Sequence, residues 1–216
     1  MRESISFVTF VRNDKDRLRT LIETVRPHLG PRGEVIVVDQ SSDDGSYEVA
    51  CELADRTVKR TRKGYPDPDR NYGYAQAKND WVFTCDTDEL PDEKLLAVLP
   101  KLADKSHGVR VYWLRRQNLV DGVDIFPILK EDWQPRLFVK GALQYSDQMH
   151  THPQIDGPLQ MWVDTGCIVH NRTMAQIEGA SKNRALAGDP QMQAKEAQFK
   201  QAVKSFLETG TVMEGV

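Results

Sequence analysis

The residues of this chain best suited to chemistry are two aspartates, Asp86 and Asp88, separated by Thr87. Side chains two positions apart share a face where the chain is extended, and hard divalent cations prefer carboxylate oxygens as ligands. An Asp-x-Asp pair alone is more often a solvated turn, so its interpretation depends on the elements that surround it. The pair predicts a site for a cation and for the phosphates that a cation bridges.

The segment before the pair, residues 81–85, combines aromatic and β-branched types and is typical of a buried strand. Pro91 follows the acidic residues and is expected to block continuation of that strand. The carboxylates would then lie at the carboxyl end of a strand. In open α/β sheets, ligands bind at that edge.

Strands and helices alternate along the first 90 or so residues, which favours a parallel α/β sheet with flanking helices. Strands are predicted at 4–11, 34–38, 57–59 and 81–85, and helices through 18–25, 47–55 and 70–78, with Ser46 as a cap. Beyond Pro91 the pattern becomes mixed. It predicts a helix at 92–102, short strands at 108–114, 137–139, 143–145, 161–163 and 167–170, and helices that begin near Thr173 and Asp189.

Composition is that of one ordinary soluble domain with a small appendage: 216 residues, a net charge of −3 and 39% hydrophobic content. No apolar run approaches the roughly 18 residues that a membrane span needs, and we expect a cytoplasmic protein. The three cysteines, Cys51, Cys85 and Cys167, are far apart and suggest neither a disulfide framework nor a zinc site. The slightly acidic balance gives no general attraction to nucleic acid, although residues 59–63 form a local basic run.

Four motifs occur in a fixed order along the first 90 residues. They are Thr9-Phe10-Val11-Arg12-Asn13-Asp14, the run from Val37 to Ser46, Arg70-Asn71-x-Gly73 with Ala77, and Trp81-Val82-x-x-x-Asp86-x-Asp88-Glu89. Together they resemble the family 2 glycosyltransferases, which have the GT-A fold. Downstream, the run from Asp132 to Phe138 and Met149-His150 resemble the branch that modifies lipopolysaccharide cores. The resemblance covers about residues 4–152.

The resemblance implies a domain organisation and a reaction. Residues 1–170 would form the GT-A catalytic domain, with a nucleotide-binding half to about 91 and an acceptor half beyond it, and 171–216 a helical extension packed on it. The reaction would be an inverting, metal-dependent transfer of a sugar from a nucleotide diphosphate, with UDP as the expected type and Mn²⁺ or Mg²⁺ as the cofactor. The acceptor stays open between a saccharide, a protein and a modified nucleic-acid base, and so does the oligomeric state.

The same resemblance assigns roles to individual residues. The metal ligands would be Asp88, Asp86 and His150, with His152 as a competitor for the last position. The donor would be bound by Thr9, Phe10, Arg12, Asp39, Arg70, Asp86 and Thr87. Inverting transfer also needs a general base. Asp132 is the first candidate and Glu131 the second, and Arg136 is expected to brace their loop.

This sequence departs from the family pattern at three positions: Gln40 where Asp is frequent, Ser41 where Gly is common, and Thr151 where the lipopolysaccharide branch has Glu. Two other functions compete with sugar transfer. A nucleotidyltransferase would also pair a parallel sheet with metal-binding carboxylates, but Asn13 and Asp14 stand where such enzymes have a Gly-rich phosphate loop. A silent nucleotide-binding module would bind nucleotide without turnover.

Overall fold

The computed structural model describes residues 3–61, 67–146, 153–185 and 190–211. The chain folds into two compact units. The first comprises Met1–Arg115 and Trp133–Ile168, and the second comprises Arg116–Asp132 and Val169–Val216. The domain boundaries expected at 91 and 170 stay predictions.

Within the described ranges, nine strands form one sheet in the order β3-β2-β1-β4-β8-β6-β11-β5, with β7 paired to β6. Their bounds are β1 Ile5–Val11, β2 Glu34–Asp39, β3 Arg56–Lys59, β4 Trp81–Thr84, β5 Glu89–Pro91, β6 Val111–Val120, β7 Val123–Asp124, β8 Trp133–Val139 and β11 Gln160–Arg172. The first four strands in that order are parallel, whereas β8 runs antiparallel to β4 and β6 antiparallel to β8. A separate antiparallel pair is formed by β9 Leu143–Gln144 and β10 Gln154–Ile155.

The helices are α1 Lys15–Val25, α2 Ser46–Leu53, α3 Asp67–Ala75, α4 Glu93–Leu102, α5 Phe126–Leu129, α6 Met174–Ala185 and α7 Pro190–Thr209, with 3-10 turns at Arg26–His28 and Lys105–His107. The start of α6 follows the prediction, because the Gln176 amide donates to Thr173 Oγ1 and the Thr173 amide donates back to the Gln176 side chain. The cap predicted for α2 is wrong. Ser46 is the first helical residue, and Gly45 precedes it as the cap with φ +96°.

Strand β1 is buried on both faces, as expected for the centre of a parallel sheet. Ile5 and Phe7 face one apolar cluster, which includes the buried side of α1. Val8 and Phe10 face a second cluster, which includes Tyr74 of α3. Helices thus cover both faces of the parallel strands and leave the strand ends available for loops.

Helix α3 lies close to the sheet because Gly73 has no side chain. A Cβ at this position would come within 2.7 Å of the Phe10 ring and 3.2 Å of the Val38 side chain. The small residues of the third motif therefore permit the tight helix-to-sheet packing that the sequence predicted. This packing brings the first turns of α3, including Arg70, to the sheet edge.

Strand β11 corrects two expectations from the sequence. The strands predicted at 161–163 and 167–170 are one strand, and the chain continues through Gly166 with φ +77°. Asp92, the cap of α4, accepts hydrogen bonds from Leu95 and Cys167 amides. A side chain at Gly166 would collide with Asp92 and Leu95, so only glycine fits there.

The second unit has its own apolar cluster. Val120, Ile125, Ile177 and Val203 are buried together, and Met174, Phe199, Phe206 and Leu207 pack against them. The apolar face predicted for the last helix is therefore covered by residues of the same unit. None of the helices in the described ranges has the length and apolar character that crossing a membrane requires.

Candidate active site

The strand-end edge of the first unit carries the predicted acidic residues. Strands β1 and β2 pair in register so that Val11 lies opposite Asp39, and β4 runs parallel to β1 with Thr84 opposite Val8. Asp39 ends β2, and Asp86 follows β4 by two residues. The expectation that these carboxylates share one edge of the sheet is confirmed.

Asp39 is fully buried, and its two oxygens have different surroundings. Oδ2 accepts a hydrogen bond from the Ser42 amide at 3.2 Å. Within the described part of the chain, Oδ1 has no hydrogen-bond partner. A buried carboxylate oxygen without a donor is costly, so a ligand hydroxyl or N–H group would be a favourable partner for it.

The loop after β2 contains two of the residues that depart from the family pattern, Gln40 and Ser41. Ser41 has φ +62°, a conformation that glycine adopts freely, and its hydroxyl donates to the Arg60 carbonyl at 3.0 Å. Gln40 donates through Nε2 to Asp69 at 2.8 Å, and Arg60 pairs with the other oxygen of Asp69. Local hydrogen bonds thus support both residues in the backbone conformation that the loop requires.

The two loops that follow β1 and β2 are tied together. The Asn13 amide donates to Ser42 Oγ at 3.0 Å, and the Asn13 side chain accepts from the Asp43 amide at 2.9 Å. The Asp14 amide donates to Ser46 Oγ at 3.0 Å. These bonds hold both strand-end loops against each other.

Asp86 is the centre of a group of four charged residues that we call the arginine clamp: Asp86, Glu89, Arg70 and Arg136. Arg70 Nη2 lies 3.1 Å from Asp86 Oδ1, and Arg136 Nη2 lies 3.2 Å from Asp86 Oδ2. Arg136 also contacts Glu89 Oε1 at 2.5 Å, and the other Glu89 oxygen accepts from the Asp86 amide at 3.0 Å. Each carboxylate oxygen of Asp86 thus contacts an arginine side chain.

The clamp is largely buried and its charges balance. The side chains of Arg136 and Glu89 are 5% and 1% exposed. Burial alone would lower the pKa of Arg136, yet the Glu89 and Asp86 carboxylates raise it above its ordinary value. The pKa of Arg70 is likewise raised by Asp86 against the opposing effect of burial. Both guanidiniums are therefore held in the charged form.

A second group, the acidic cluster, comprises Asp14, Asp44, Thr87 and Asp88. Thr87 Oγ1 donates to Asp14 Oδ2 at 2.7 Å. Burial raises the pKa of Asp14, the Thr87 hydrogen bond and Arg17 oppose that shift, and Asp88 and Asp44 add to it. Three carboxylates of this cluster are thus close enough to influence one another, whereas each carboxylate of the arginine clamp contacts an arginine.

The remaining donor residues occupy different environments. Thr9 is buried, and its hydroxyl donates to the Cys85 carbonyl at 2.8 Å, which links β1 to the residue that follows β4. Phe10 is buried with its ring edge-on to Tyr74, and the Arg70 guanidinium carbon lies 5.5 Å from the Phe10 ring centre. Arg12 is exposed. The Phe10 ring thus lies next to the Arg70 guanidinium. Arg12 is the most solvent-exposed of the residues predicted to bind the donor.

The two candidate bases lie in the second unit. Asp132 Oδ2 accepts from Arg116, whose Nη2 lies 2.7 Å away, and from Asn118 Nδ2 at 2.8 Å. The Asn118 side chain also contacts His170 Nδ1 at 2.8 Å. Glu131 is exposed. Asp132 is therefore held in a defined orientation.

Two expectations for this site need correction or lie outside the described residues. Arg136 does not brace the loop of the candidate bases, because its side chain joins Asp86 and Glu89. His150 and His152 lie outside the described residues.

Sequence reasoning assigned no role to Glu89. The residue was part of the fourth motif, but its pairing with Arg136 depends on β8 lying antiparallel beside β4, a contact between distant parts of the chain. An apolar strand that carries one arginine and flanks an acidic strand end is the signal that could have identified this pair.

The comparison with known families decides the assignment. The sequence profile for Glycosyl transferase family 2 matches residues 6–153, more than half of the chain. The chain belongs to glycosyl transferase family 2. Membership confirms the family predicted from the four motifs. No curated protein sequence matches the chain.

Solved structures similar to this family 2 chain have the GT-A fold. S. aureus TarS 1-349 aligns with a TM-score of 0.60 and 14% identity, over 91% of this chain and 69% of that one. TarS 1-349 in complex with UDP-GlcNAc aligns with a TM-score of 0.51 and 18% identity, over 63% of this chain and 45% of that one. The mannosyltransferase PcManGT from Pyrobaculum calidifontis, in complex with GDP-Man and Mn²⁺, aligns with a TM-score of 0.43 and 22% identity. The alignment covers 52% of this chain and 35% of that one. The predicted fold class is thus confirmed.

Proposed function

We propose that this protein transfers a sugar from a nucleotide diphosphate, UDP in the first instance, to an acceptor hydroxyl with inversion at the anomeric carbon. The observation that carries the proposal is the buried Asp39 at the strand-end edge that Asp86 and Asp88 share, with Oδ1 lacking a partner among the described residues. Uridine offers an imide N–H and ribose hydroxyls as donors to such an oxygen. Asp39 would therefore bind the nucleoside, and the turn after β4 would lie toward the diphosphate.

The UDP preference has support from the TarS structures. TarS 1-349 was solved with UDP and with UDP-GlcNAc, and both complexes share the fold of this chain with TM-scores above 0.5. The identities of 14% and 18% extend the likeness to the fold alone.

A divalent cation carried by the donor fits the residues at this edge. Mg²⁺ and Mn²⁺ sites of this kind need only one or two protein carboxylates, because phosphate oxygens and water supply the other ligands. Asp88 is half-buried in the acidic cluster, and Asp86 contacts two guanidiniums. Across the ranges that the structure describes, no group of three or more His, Cys, Asp or Glu suits a metal. We assign Asp88 as the first ligand, with Asp86 and His150 as further candidates.

The cation, when bound, would offset the negative charge that develops on the leaving diphosphate. The protein's own contribution begins with orientation: the arginine clamp holds the turn after β4, and Asp39 holds the nucleoside. The acceptor oxygen forms its bond to the anomeric carbon as the bond from that carbon to the diphosphate oxygen breaks. Asp132, or Glu131 in its place, would take the proton that the acceptor hydroxyl loses.

We also propose that the protein is nearest to the lipopolysaccharide-core branch of the family, because the run from Asp132 to Phe138 resembles the pattern of that branch. A nucleotidyltransferase is the weaker alternative because the family match covers most of the chain. A silent binding module is the other alternative. Turnover separates it from an enzyme.

The proposal is tested by thermal unfolding with UDP, GDP and their sugar conjugates, each with and without Mn²⁺, followed by an assay for donor hydrolysis. A ligand at 100 times its dissociation constant stabilises the native state by roughly 2.7 kcal/mol, which gives a clear shift. We expect a metal-dependent shift with UDP compounds that Asp39→Asn abolishes. Asp43→Asn, an exposed carboxylate in the same loop, is the matched control. Absence of both a shift and hydrolysis with every compound would refute the proposal.

A further inference from the structure

Two tryptophans in the first unit form a stacked pair on adjacent strands. Trp113 of β6 and Trp162 of β11 have ring centres 5.9 Å apart and planes 6° from parallel. Trp113 is half-buried against the second apolar cluster, and its Nε1 donates to Gln160 Oε1 at 2.8 Å. Trp162 is 56% exposed. One indole therefore anchors the other, whose outer face is open to solvent.

The residues around Trp162 make one face of β11 partly apolar and partly polar. Side chains alternate along a strand, so Gln160, Trp162 and Asp164 share one face while Val163 is buried in the core on the other. Met161, an exposed apolar neighbour, belongs to the same face as Val163. The face thus presents a single flat aromatic ring between an amide and an exposed carboxylate.

We infer that this row, Gln160, Trp162 and Asp164, binds a pyranose ring of a saccharide acceptor, an inference that rests on the proposed glycosyl transfer. A pyranose has a flat face of C–H groups that packs on an aromatic ring, and hydroxyls around its edge that bond to amides and carboxylates. Ligand sites typically combine such an apolar surface with a few polar groups. A protein partner would instead need a broader apolar surface than one ring.

The position of the pair on the sheet agrees with an acceptor site. Trp113 lies opposite Pro135 of β8, whose neighbour Arg136 contacts Asp86. Trp113 also packs on the cluster that Tyr145 borders, and the Arg70 guanidinium carbon lies 5.4 Å from the Tyr145 ring centre. Trp113 therefore lies on the strand next to β8, which carries Arg136 of the arginine clamp, within the same unit.

The test is saturation-transfer NMR with methyl pyranosides of glucose, galactose, mannose and N-acetylglucosamine and with their linear oligosaccharides. We expect saturable binding of at least one of them, weakened by roughly tenfold or more in Trp162→Ala and largely kept in Trp162→Phe. Met161→Ala, the matched control from the other face, should bind as the wild type does. Melting curves check that each variant is folded.

Two results would overturn the inference: no saturable binding by any of these saccharides, or binding that Trp162→Ala leaves unchanged. A change from oligomer to monomer in Trp162→Ala, seen by sedimentation, would also overturn it by showing that the ring contacts a second copy of the chain. UDP with Mn²⁺ is measured in parallel by thermal unfolding. A retained UDP shift without saccharide binding rejects this inference alone, whereas loss of both rejects the proposed function.

Discussion

The arginine clamp and the acidic cluster both include residues of the segment after β4, but their carboxylates have different neighbours. In the clamp, two buried guanidiniums face the carboxylates of Asp86 and Glu89. In the acidic cluster, burial is the main cause that raises the pKa of Asp14, and repulsion from Asp88 and Asp44 adds to it. The first aspartate of the Asp-x-Asp pair thus contacts two arginines, whereas the second lies close enough to Asp14 to add to the rise of its pKa.

The clamp should therefore be required for folding, and Arg136→Ala is expected to have the largest effect of the variants considered. It leaves the Glu89 charge buried without its cation, which typically lowers the free energy of unfolding by about 3–5 kcal/mol. Urea denaturation measures this change. Arg19→Ala, which breaks an exposed pair with Glu52, is the control and should change stability little.

A double variant separates the charge from the packing. Arg136→Met combined with Glu89→Gln removes both charges and keeps an acceptor for the Asp86 amide, so it should recover most of the lost stability. If Arg136→Ala costs no more than Arg19→Ala, the clamp is not a structural unit and the comparison between the two groups fails.

The acidic cluster should be required for the donor rather than for folding. Asp88→Ala is expected to weaken Mn²⁺-dependent binding of UDP by roughly 10²-fold or more while the melting temperature without ligand stays close to that of the wild type. Calorimetric titration with and without Mn²⁺ measures the effect. Unchanged metal-dependent affinity would exclude Asp88 as a ligand and leave Asp86 and His150 as the candidates.

Asp132 is paired with Arg116, as Asp86 is paired with arginines, and it is also the first candidate for the general base. Asp132→Asn should leave UDP binding intact and lower transfer by roughly 10²-fold or more. Glu131→Gln is the matched variant. Transfer at the wild-type rate in Asp132→Asn, together with a loss in Glu131→Gln, would move the role of base to Glu131.

The smallest effect is expected for Asp14→Asn, and its sign depends on pH. The folded pKa of Asp14 is raised above its ordinary value of 3.8, so the folded state binds the proton more tightly and stability falls as pH rises through that range. The variant removes this penalty and should melt at a higher temperature than the wild type at pH 7. The difference should vanish below about pH 3.8. Asp16→Asn, which changes an exposed carboxylate of α1, is the matched control.

Local sequence patterns were sufficient for the parallel half of the sheet. Runs such as Val35–Val38 are long enough and apolar enough to specify buried strands, and Asp39 and Asp86 follow from where those runs end. The antiparallel half was less accessible because its pairing joins distant segments. The Arg136–Glu89 pair depends on the β4–β8 register, and the continuity of β11 depends on Gly166 fitting against the cap of α4.

The hydrogen bonds between the loops after β1 and β2 have a consequence for binding thermodynamics. Asn13 bonds to Ser42 and Asp43, and Asp14 bonds to Ser46, before any donor arrives. The conformational entropy of these loops is then lost when the protein folds, so little is lost when a nucleotide binds. The amide hydrogens of residues 13, 14 and 43 should accordingly exchange slowly with solvent in the free protein, and donor binding should slow them little further.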